Sequence, residues 1–209
     1  DRDMKQILIA TTNPGKRNEI QKALSDLSCQ FVSLRDLGIK EKPEENGSTF
    51  EENARIKATF YFQKSGLPTI ADDGGIEIVA LNMEPGVKSH RWIHGDREDK
   101  DEELILYTLM RLAGVPLEKR QAQMHVAVAF QTQRAIRVAE ELVQGIIPLE
   151  PSPLRTPGFP FRSLLFIPAL DKFYDDKLLT EEENETYGHR VKVLHTLRPA
   201  ILEEISQSV

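Results

Sequence analysis

Residues 5–16, KQILIATTNPGK, decide how the fold begins. Residues 5–11 contain an apolar run without helical period, and the turn-forming sequence Thr-Asn-Pro-Gly follows it, so we expect a short buried strand. Beyond the turn, over residues 16–27, apolar side chains recur every three or four positions, which is the spacing of an amphipathic helix. These side chains are Ile20, Ala23, Leu24 and Leu27. The sequence therefore predicts a strand, a loop and a helix in that order.

The rest of the chain alternates between strand and helix patterns at first and then changes. Apolar runs predict further strands at residues 30–34, 69–71, 76–79, 124–130, 135–143 and 164–167. Helical spacing predicts helices at residues 49–64, 102–112 and 191–205, and polar or proline-rich composition predicts loops at 36–47 and 148–160. Because helices first interleave with strands and the later strands form a hairpin, we predict an α/β protein with a mixed sheet, flanking helices and two lobes.

Length and charge restrict the class of protein. The chain has 209 residues and a net charge of -6, which favours one domain over residues 4–209. Residues 1–3 precede Met4 and are interpreted as a remnant outside the fold. An acidic chain is not expected to bind a nucleic acid polymer unaided, and an anionic ligand would need the help of a metal ion. Charged residues interrupt every apolar run, so no membrane partner is expected.

Cysteine usage indicates the compartment. Cys29 is the single cysteine, so no internal disulfide is expected. No signal-peptide pattern precedes the first predicted strand. Together these features favour a cytoplasmic location.

The loop Thr11-Thr12-Asn13-Pro14-Gly15-Lys16 joins the first predicted strand to the first helix. Free backbone N–H groups and the positive end of the helix dipole would meet an anion there, with Lys16 as a point charge. The loop is not a Walker motif, because Ala10 stands at its first glycine position and Arg17 follows the lysine. An ordinary turn with Asn13 as the helix cap explains the same residues.

Two adjacent carboxylates, Asp72 and Asp73, lie between two apolar runs. Such oxygen ligands suit Mg²⁺ when it also holds phosphate, and one of them could deprotonate water. An Asp-Gly hairpin turn with positive φ at Gly74 or Gly75 explains Asp73 but gives no reason for Asp72. Both interpretations stay open at this point.

The acidic loop and the helix after it supply further candidates. Glu44 and Glu45 would complete a metal site, or they are solvated surface charges. Thr49, with Glu52 three residues later, fits the capping box of a helix start. The cap leaves Lys57 unexplained, so Lys57 points at a ligand or at water.

Two later motifs combine aromatic and basic side chains, Gly158-Phe159-Pro160-Phe161-Arg162 and Tyr187-Gly188-His189-Arg190. Aromatic faces stack on bases, and arginine binds purine acceptors or phosphate. Composition by itself favours core packing for Phe159 and Phe161, and a cap or a surface position explains His189 equally well. The other histidines lack metal-ligand spacing, so no zinc site is predicted.

Taken together and in this order, the motifs resemble the inosine triphosphate pyrophosphatase family over residues 5–202. The motifs that carry the resemblance are Thr11-x-Asn13-x-x-Lys16, Thr49-Phe50-x-Glu52-Asn53-Ala54-x-x-Lys57-Ala58, Ala71-Asp72-Asp73-x-Gly75, Pro85-Gly86-Val87-x-Ser89-x-Arg91 and Gly188-His189-Arg190. The resemblance implies an elongated mixed α/β fold with a central nucleotide cleft between two lobes, in a homodimer. It also implies Mg²⁺-dependent attack of water on the α-phosphorus of non-canonical purine nucleoside triphosphates, with release of the monophosphate and pyrophosphate, as nucleotide-pool house-cleaning.

The resemblance also implies roles for individual residues. Asp73 would be the general base, and Mg²⁺ would be bound by Glu45, with Glu44, Asp72 and Asp73 as further ligands. The implied substrate-binding residues are Thr11, Thr12, Asn13, Lys16, Lys57, Gly74, Phe159, Phe161, Arg162, Asn184, His189 and Arg190.

The base-recognition part departs from the family pattern. Where the family has Gly-Phe-Gly-Tyr/Trp-Asp-Pro, Arg162 stands in place of the acid expected to contact the base. Asn184 replaces a lysine, Gly188 a serine and Gly74 another serine. Since a guanidinium donates hydrogen bonds where a carboxylate accepts them, the base preference is open.

Three hypotheses follow from these departures. The chain is a pyrophosphatase with a shifted base preference, or a nucleotide-binding protein of the same fold with little turnover. Alternatively, Arg162 or another basic side chain replaces the missing lysine and preserves the usual substrates.

Overall fold

The computed structural model describes residues 4–207. The interpretation of residues 1–3 as a remnant falls outside this range. In chain order the helices and strands are β1 (Gln6–Ile9), α1 (Pro14–Ala23), β2 (Gln30–Ser33), α2 (Phe50–Ser65), β3 (Thr69–Ile78), β4 (Glu84–Pro85), α3 (Asp101–Arg111), β5 (Gln121–Gln131), β6 (Ile136–Ile146), β7 (Phe166–Ile167), β8 (Lys172–Phe173), α4 (Glu181–Tyr187) and α5 (His189–Ser206).

The chain is divided into two compact units. The first unit consists of the residues up to Asp73, Val126–Glu141 and the residues from Arg190 onward, and the second unit consists of Gly74–His125 and Leu142–His189. Strands β3, β5 and β6 contribute residues to both units. Within residues 4–207, no helix combines the length and the hydropathy that crossing a membrane requires.

The strands form one mixed sheet. Hydrogen bonds join them in the order β2-β1-β3-β5-β6-β7-β8, with β4 beside β3. Strand β1 is parallel to β2 and β3, and Leu8 lies opposite both Val32 and Thr69. Strand β4 is antiparallel to β3, and β7 is antiparallel to β6 and β8. The predicted α/β class with a mixed sheet is confirmed, while the nucleotide cleft stays a prediction.

The core of the first unit explains why the opening sequence lacks a period of two. Strand β1 has neighbours on both sides, and Ile7, Leu8 and Ile9 are at most 1% exposed, so both of its faces are buried. Strand β5 and helix α5 supply most of the remaining apolar side chains. The core residues are Ile7, Ile9, Ile20, Leu24, Leu27, Ile70, Val126, Val128, Phe130, Val193, Leu194, Leu197 and Ile201.

The second unit has a core of its own. It is formed by the second half of β3, by α3, and by the segments around β5, β6 and β7. The core residues are Ile76, Ile78, Leu81, Leu104, Ile105, Leu112, Ala122, Met124, Val143, Ile147, Phe161, Leu164, Leu165, Ile167, Tyr174 and Leu179.

The region around the Asp pair differs from the prediction. Residues 69–78 form one continuous strand, not two strands separated by a turn. A Cβ added at Gly75 would lie 2.0 Å from Ser89 Oγ, so this glycine permits a close approach. Ser89 Oγ accepts a hydrogen bond from the N–H of Ile76 (3.0 Å) and donates one to the carbonyl of Gly86 (2.6 Å). The Asp-Gly turn was therefore wrong, and the Asp pair lies inside a strand.

Two helices also differ from the prediction. Helix α1 begins at Pro14 and ends at Ala23, while Leu24 and Leu27 are buried in the turns that follow. Apolar spacing alone does not distinguish a last helical turn from such turns. Helix α4 was not expected, because it has no apolar stripe. The sequence signal for it was the capping box of Thr180 and Glu183, which exchange backbone-to-side-chain hydrogen bonds.

Candidate functional site

The loop before α1 caps the helix with its own side chain. Asn13 Oδ1 accepts hydrogen bonds from the N–H groups of Gly15 (2.9 Å) and Lys16 (3.3 Å), and the N–H of Arg17 donates to the Asn13 carbonyl (3.1 Å). Thr11 Oγ1 accepts from the N–H of Asn13 (3.1 Å). Contrary to the expectation of free N–H groups in this turn, those of Asn13, Gly15 and Lys16 have hydrogen-bond acceptors. The loop still offers the Lys16 side chain to an anion.

Lys16 belongs to a buried ionic network in the first unit. Its Nζ lies 3.0 Å from Asp72 Oδ2, and Arg190 Nη2 lies 3.1 Å from the same oxygen. Arg190 Nη1 pairs at 2.7 Å with Glu19 Oε2. Residues Lys16, Asp72 and Arg190 are at most 9% exposed, so the network pairs buried charges and compensates part of their desolvation cost.

The network keeps Asp72 ionised. Burial by itself would raise the pKa of this carboxyl, but the positive charges of Lys16 and Arg190 outweigh it. The pKa of Asp72 is therefore held well below its usual range. A permanently negative Asp72 can act as an electrostatic anchor or a metal ligand but not as a proton acceptor near neutral pH.

The acidic loop is held against the start of α2. Thr49 Oγ1 accepts from the N–H of Glu52 (3.1 Å), as the cap prediction requires. The Glu52 carboxylate accepts hydrogen bonds from the N–H and Oγ of Ser48 (2.6 and 2.9 Å). Asn53 Oδ1 accepts from the N–H of Gly47 (2.8 Å). These bonds fix the end of the loop that carries Glu45.

Lys57 points at carboxylates. Its Nζ lies 2.6 Å from Glu45 Oε1 and 3.8 Å from Asp73 Oδ1. The side chains of Lys57 and Asp73 are 18% and 15% exposed, and that of Glu45 is 35% exposed. Glu44 is exposed in the same loop. Lys57 thus links Glu45 to Asp73 through two ion pairs.

The two charged groups that face each other here have shifted pKa values. Burial opposes the charged form of Lys57, yet the carboxylates of Asp73, Glu45 and Asp72 outweigh this and raise the pKa of the ammonium. Burial raises the pKa of Asp73, and the positive charge of Lys57 offsets only part of that rise. Asp73 is thus a stronger proton acceptor than an exposed aspartate, as a general base requires.

The Asp pair leaves two carboxylate oxygens without hydrogen bonds. Successive side chains of a strand take different directions, and Asp72 and Asp73 accordingly have different partners. Within residues 4–207, Asp72 Oδ1 and Asp73 Oδ2 are buried without a hydrogen-bond partner. Such an oxygen is costly unless a ligand satisfies it, and carboxylate oxygens are the ligands that Mg²⁺ takes. Asp72, Asp73 and Glu45 therefore fit a divalent metal ion.

Sequence reasoning missed a cluster formed by His94, Asp99 and Glu103 in the second unit, whose ligand atoms all lie within 4.8 Å of one another. Asp99 Oδ2 accepts from the N–H of Ile93 (2.8 Å), and Asp99 Oδ1 accepts from the N–H of His94 (3.2 Å) and lies 2.5 Å from His94 Nδ1. These contacts explain the cluster as the closure of a loop.

The segment with the strongest departure from the family pattern lies in the second unit. The Arg162 guanidinium carbon is 3.6 Å from the centroid of the Phe159 ring, and Arg162 Nη1 lies 2.8 Å from Asp176 Oδ1. Arg162 is 6% exposed, whereas the Asp176 side chain is 47% exposed. Phe161 is 4% exposed and belongs to the core of this unit. Core packing thus accounts for its side chain, and its assignment to the substrate stays a prediction.

His189 has a buried partner that the motifs did not reveal. Tyr174 Oη lies 2.7 Å from His189 Nδ1 and accepts a hydrogen bond from the His189 backbone N–H (3.1 Å). Both residues are 6% exposed. Tyr174 therefore fixes the direction of the imidazole. No sequence spacing connects residues 174 and 189, so only the structure could reveal this pair.

The structure gives a reason for one departure from the family pattern. The N–H of Gly188 donates to the Asn184 carbonyl (2.8 Å), which closes α4. A Cβ at position 188 would lie 2.3 Å from that carbonyl oxygen. Only glycine fits this approach, so a serine would force the end of α4 to shift.

The candidate residues fall into two sets. The first unit brings together Lys16, Asp72, Arg190, Lys57, Asp73 and Glu45 through ion pairs, with Thr11 and Asn13 in the adjoining cap and Thr12 exposed. The second unit contains Gly74, Phe159, Phe161, Arg162, Asn184 and His189.

Comparisons with known proteins find similar sequences and structures along nearly the whole chain. Residues 7–200 match the model of the Ham1 family. A dITP/XTP pyrophosphatase of Yersinia pestis is 36% identical over 206 residues, covering 95% of this chain and 98% of the relative. One of Haemophilus influenzae is 38% identical over 200 residues, covering 93% and 98%. A HAM1 protein structure from Coxiella burnetii superimposes with a TM-score of 0.81 at 30% identity, covering 96% of this chain and 100% of that one.

The chain therefore belongs to the Ham1 family. The resemblance found in the sequence motifs is confirmed.

Proposed function

We propose that this protein hydrolyses non-canonical purine nucleoside triphosphates, of the inosine, xanthosine or modified type, to the nucleoside monophosphate and pyrophosphate. The observation that carries the proposal is the buried set of paired charges around Asp72 and Asp73. Full-length similarity to dITP/XTP pyrophosphatases supports it. The same chemistry makes the protein a nucleotide-pool house-cleaning enzyme.

In this proposal, cationic side chains hold the triphosphate. Lys16 and Lys57 would bind phosphate oxygens, and Arg190 would support them through Asp72. The hydroxyls of Thr11 and Thr12 and the Asn13 amide would complete the phosphate contacts. Because Lys16 and Lys57 are mostly buried, their attraction for phosphate is screened less than that of surface lysines.

Asp73 would act on the attacking water. It accepts one proton while the water oxygen forms a bond to the α-phosphorus, and the bond from that phosphorus to the bridging oxygen of the β-phosphate breaks. Pyrophosphate leaves with that bridging oxygen, and the monophosphate keeps the oxygen of water. The raised pKa of Asp73 supports this role, because a general base works best with a pKa nearer the working pH.

Mg²⁺ is the proposed cofactor. Pyrophosphatases of this family are generally metal-dependent. The residues that would hold the ion are Asp72, Asp73 and Glu45, with the exposed Glu44 as a further candidate. When bound, it would neutralise phosphate charge that an acidic protein does not neutralise alone.

The second unit would recognise the base. Phe159 offers an aromatic ring for stacking, and His189 and Asn184 offer hydrogen-bonding groups. The Asp176 carboxylate neutralises Arg162, so this arginine is not an isolated positive charge in place of the family acid. This pairing disfavours the hypothesis that Arg162 substitutes for the missing lysine.

We further propose that the protein forms a homodimer and acts in the cytoplasm.

The test is pyrophosphate release with Mg²⁺ across inosine, xanthosine, modified and the four standard nucleoside triphosphates at equal concentration. Preferred release from the inosine and xanthosine forms is the expected result. Preference for another base would place the shift in the segment 158–162. Nucleotide binding without release would overturn the proposal in favour of a binding protein.

A further inference from the structure

The ionic groups of the first unit form two sets with different charge balance. In the first set, Glu19, Arg190, Asp72 and Lys16 are joined by ion pairs of 2.7 to 3.1 Å and contain as many positive as negative charges. In the second set, Lys57 is the ion-pair partner of two carboxylates, Glu45 and Asp73. The second set therefore carries an excess negative charge, which the Lys57 ammonium partly neutralises.

Lys57 holds a position that a metal ion would also need. Its ammonium is 2.6 Å from a Glu45 oxygen and 3.8 Å from an Asp73 oxygen, and both carboxylates belong to the set that fits a divalent ion. Among the described residues 4–207, the other oxygen of Asp73 is buried and has no hydrogen-bond partner. A divalent ion at that oxygen would lie close to the ammonium, and the two positive charges would repel in a site that is largely closed to water.

We propose that Lys57 is the resident counter-cation of Glu45 and Asp73 and competes with a divalent metal ion for these two carboxylates until a triphosphate binds. This rests on the proposed function, because the triphosphate supplies the phosphate oxygens that Lys57 binds when it leaves the carboxylates. The metal ion alone then binds weakly, and the metal ion and the triphosphate strengthen each other's binding.

The coupling between metal-ion binding and triphosphate binding can be measured by titrating either ligand. If the triphosphate raises the affinity for the metal ion by some factor, the metal ion raises the affinity for the triphosphate by the same factor. Such couplings are typically about 5- to 150-fold. Removing the Lys57 charge should abolish most of this factor, because the metal ion then meets both carboxylates without a competitor.

The experiment measures binding of Mn²⁺ alone, by electron paramagnetic resonance, to the full-length protein and to Lys57→Met. Lys64→Met is the matched control, since Lys64 lies seven residues later on α2 and pairs with the exposed Glu41 at 3.1 Å. We expect Lys57→Met to bind Mn²⁺ about tenfold more tightly without nucleotide, and Lys64→Met to match the unsubstituted protein. Unchanged or weaker Mn²⁺ binding by Lys57→Met would overturn the proposal.

Two further measurements close the test. With a triphosphate whose α–β bridging oxygen is an imido group, Mn²⁺ affinity should rise in the unsubstituted protein and much less in Lys57→Met. An equal rise in both would overturn the proposal.

Glu45→Gln should weaken Mn²⁺ binding both in the unsubstituted protein and in Lys57→Met, and no effect would likewise overturn the proposal. Thermal unfolding verifies that each variant is folded, and Lys57→Gln replaces Lys57→Met if the latter does not fold. Because the readout is binding, its failure is distinguishable from a failure of pyrophosphate release in the unsubstituted protein.

Discussion

The two units bury charge in different ways. In the first unit, Lys16 and Arg190 form ion pairs with the Asp72 carboxylate, and Arg190 also pairs with Glu19. In the second unit, Arg120 donates to the backbone carbonyls of Leu112, Val115 and Pro148, and Arg162 stacks on Phe159 and pairs with Asp176.

This difference indicates that the buried charges of the two units have different roles. Ion pairs between side chains can exchange partners with a charged ligand, whereas hydrogen bonds to fixed carbonyls mainly lock the fold. This agrees with the proposed function, in which the first unit binds phosphate and the metal ion and the second unit recognises the base by shape and hydrogen bonding. The following variants test this difference, from the largest expected effect to the smallest.

Asp73→Asn should lower kcat for pyrophosphate release by about 10³-fold, because an amide does not accept the proton of the attacking water. Nucleotide binding, measured by calorimetry, should survive. Asp26→Asn is the control, since its carboxylate is 66% exposed. Full activity in Asp73→Asn would show that another group is the base.

Asp72→Asn should lower the free energy of unfolding by about 4 kcal/mol, because it leaves two buried cations without their shared partner. Asp176→Asn, in the second unit, should cost only about 1 kcal/mol, because that carboxylate is 47% exposed. Urea unfolding of both variants makes the comparison. Equal losses would contradict the difference between the two units.

Gly75→Ala should lower the free energy of unfolding by about 3 kcal/mol, because the new methyl group collides with Ser89. Gly66→Ala is the matched comparison in the first unit. Gly66 has a φ of 68° but open space around it, so that change should cost about 1 kcal/mol. An unchanged free energy of unfolding in Gly75→Ala would mean that the backbone around Gly75 shifts at little cost to make room for the methyl group.

Tyr174→Phe should lower the free energy of unfolding by about 1.5 kcal/mol, because the His189 N–H loses its acceptor. If the second unit recognises the base, KM should also rise while kcat changes little. Tyr61→Phe, which loses a bond to the Glu41 carbonyl in the first unit, is the control. A fall in kcat alone would place His189 in the chemical step instead.

The smallest effect on the free energy of unfolding is expected from the titration of Asp99 at low pH. Burial would raise the pKa of Asp99, but hydrogen bonds from the N–H of Ile93 and from His94 outweigh it and lower the pKa. Its contribution to stability is thus complete above its unfolded pKa of about 3.9 and is lost as pH falls through the lower folded value. Unfolding free energies of the unsubstituted protein and Asp99→Asn should converge toward low pH. A constant difference would contradict this contribution.

The local part of the fold was largely predictable from sequence. The spacing of Thr49 and Glu52 located the start of α2, and the unbroken apolar run located β1. The Asp pair misled the prediction of β3, because glycines that permit a close approach look the same in sequence as glycines that form a turn. The partners Tyr174 and Asp176 gave no signal, because they belong to no motif.

By itself, the sequence determined the family, the mixed α/β class and most of the chemistry-bearing residues, since these depend on local order and residue type. Only the tertiary structure decided which charges pair. Arg190 meets Asp72 across 118 positions and Glu19 across 171. Such pairings depend on how distant segments pack around a shared core, and that packing determines which buried charges are neutralised and which oxygens stay available to a ligand.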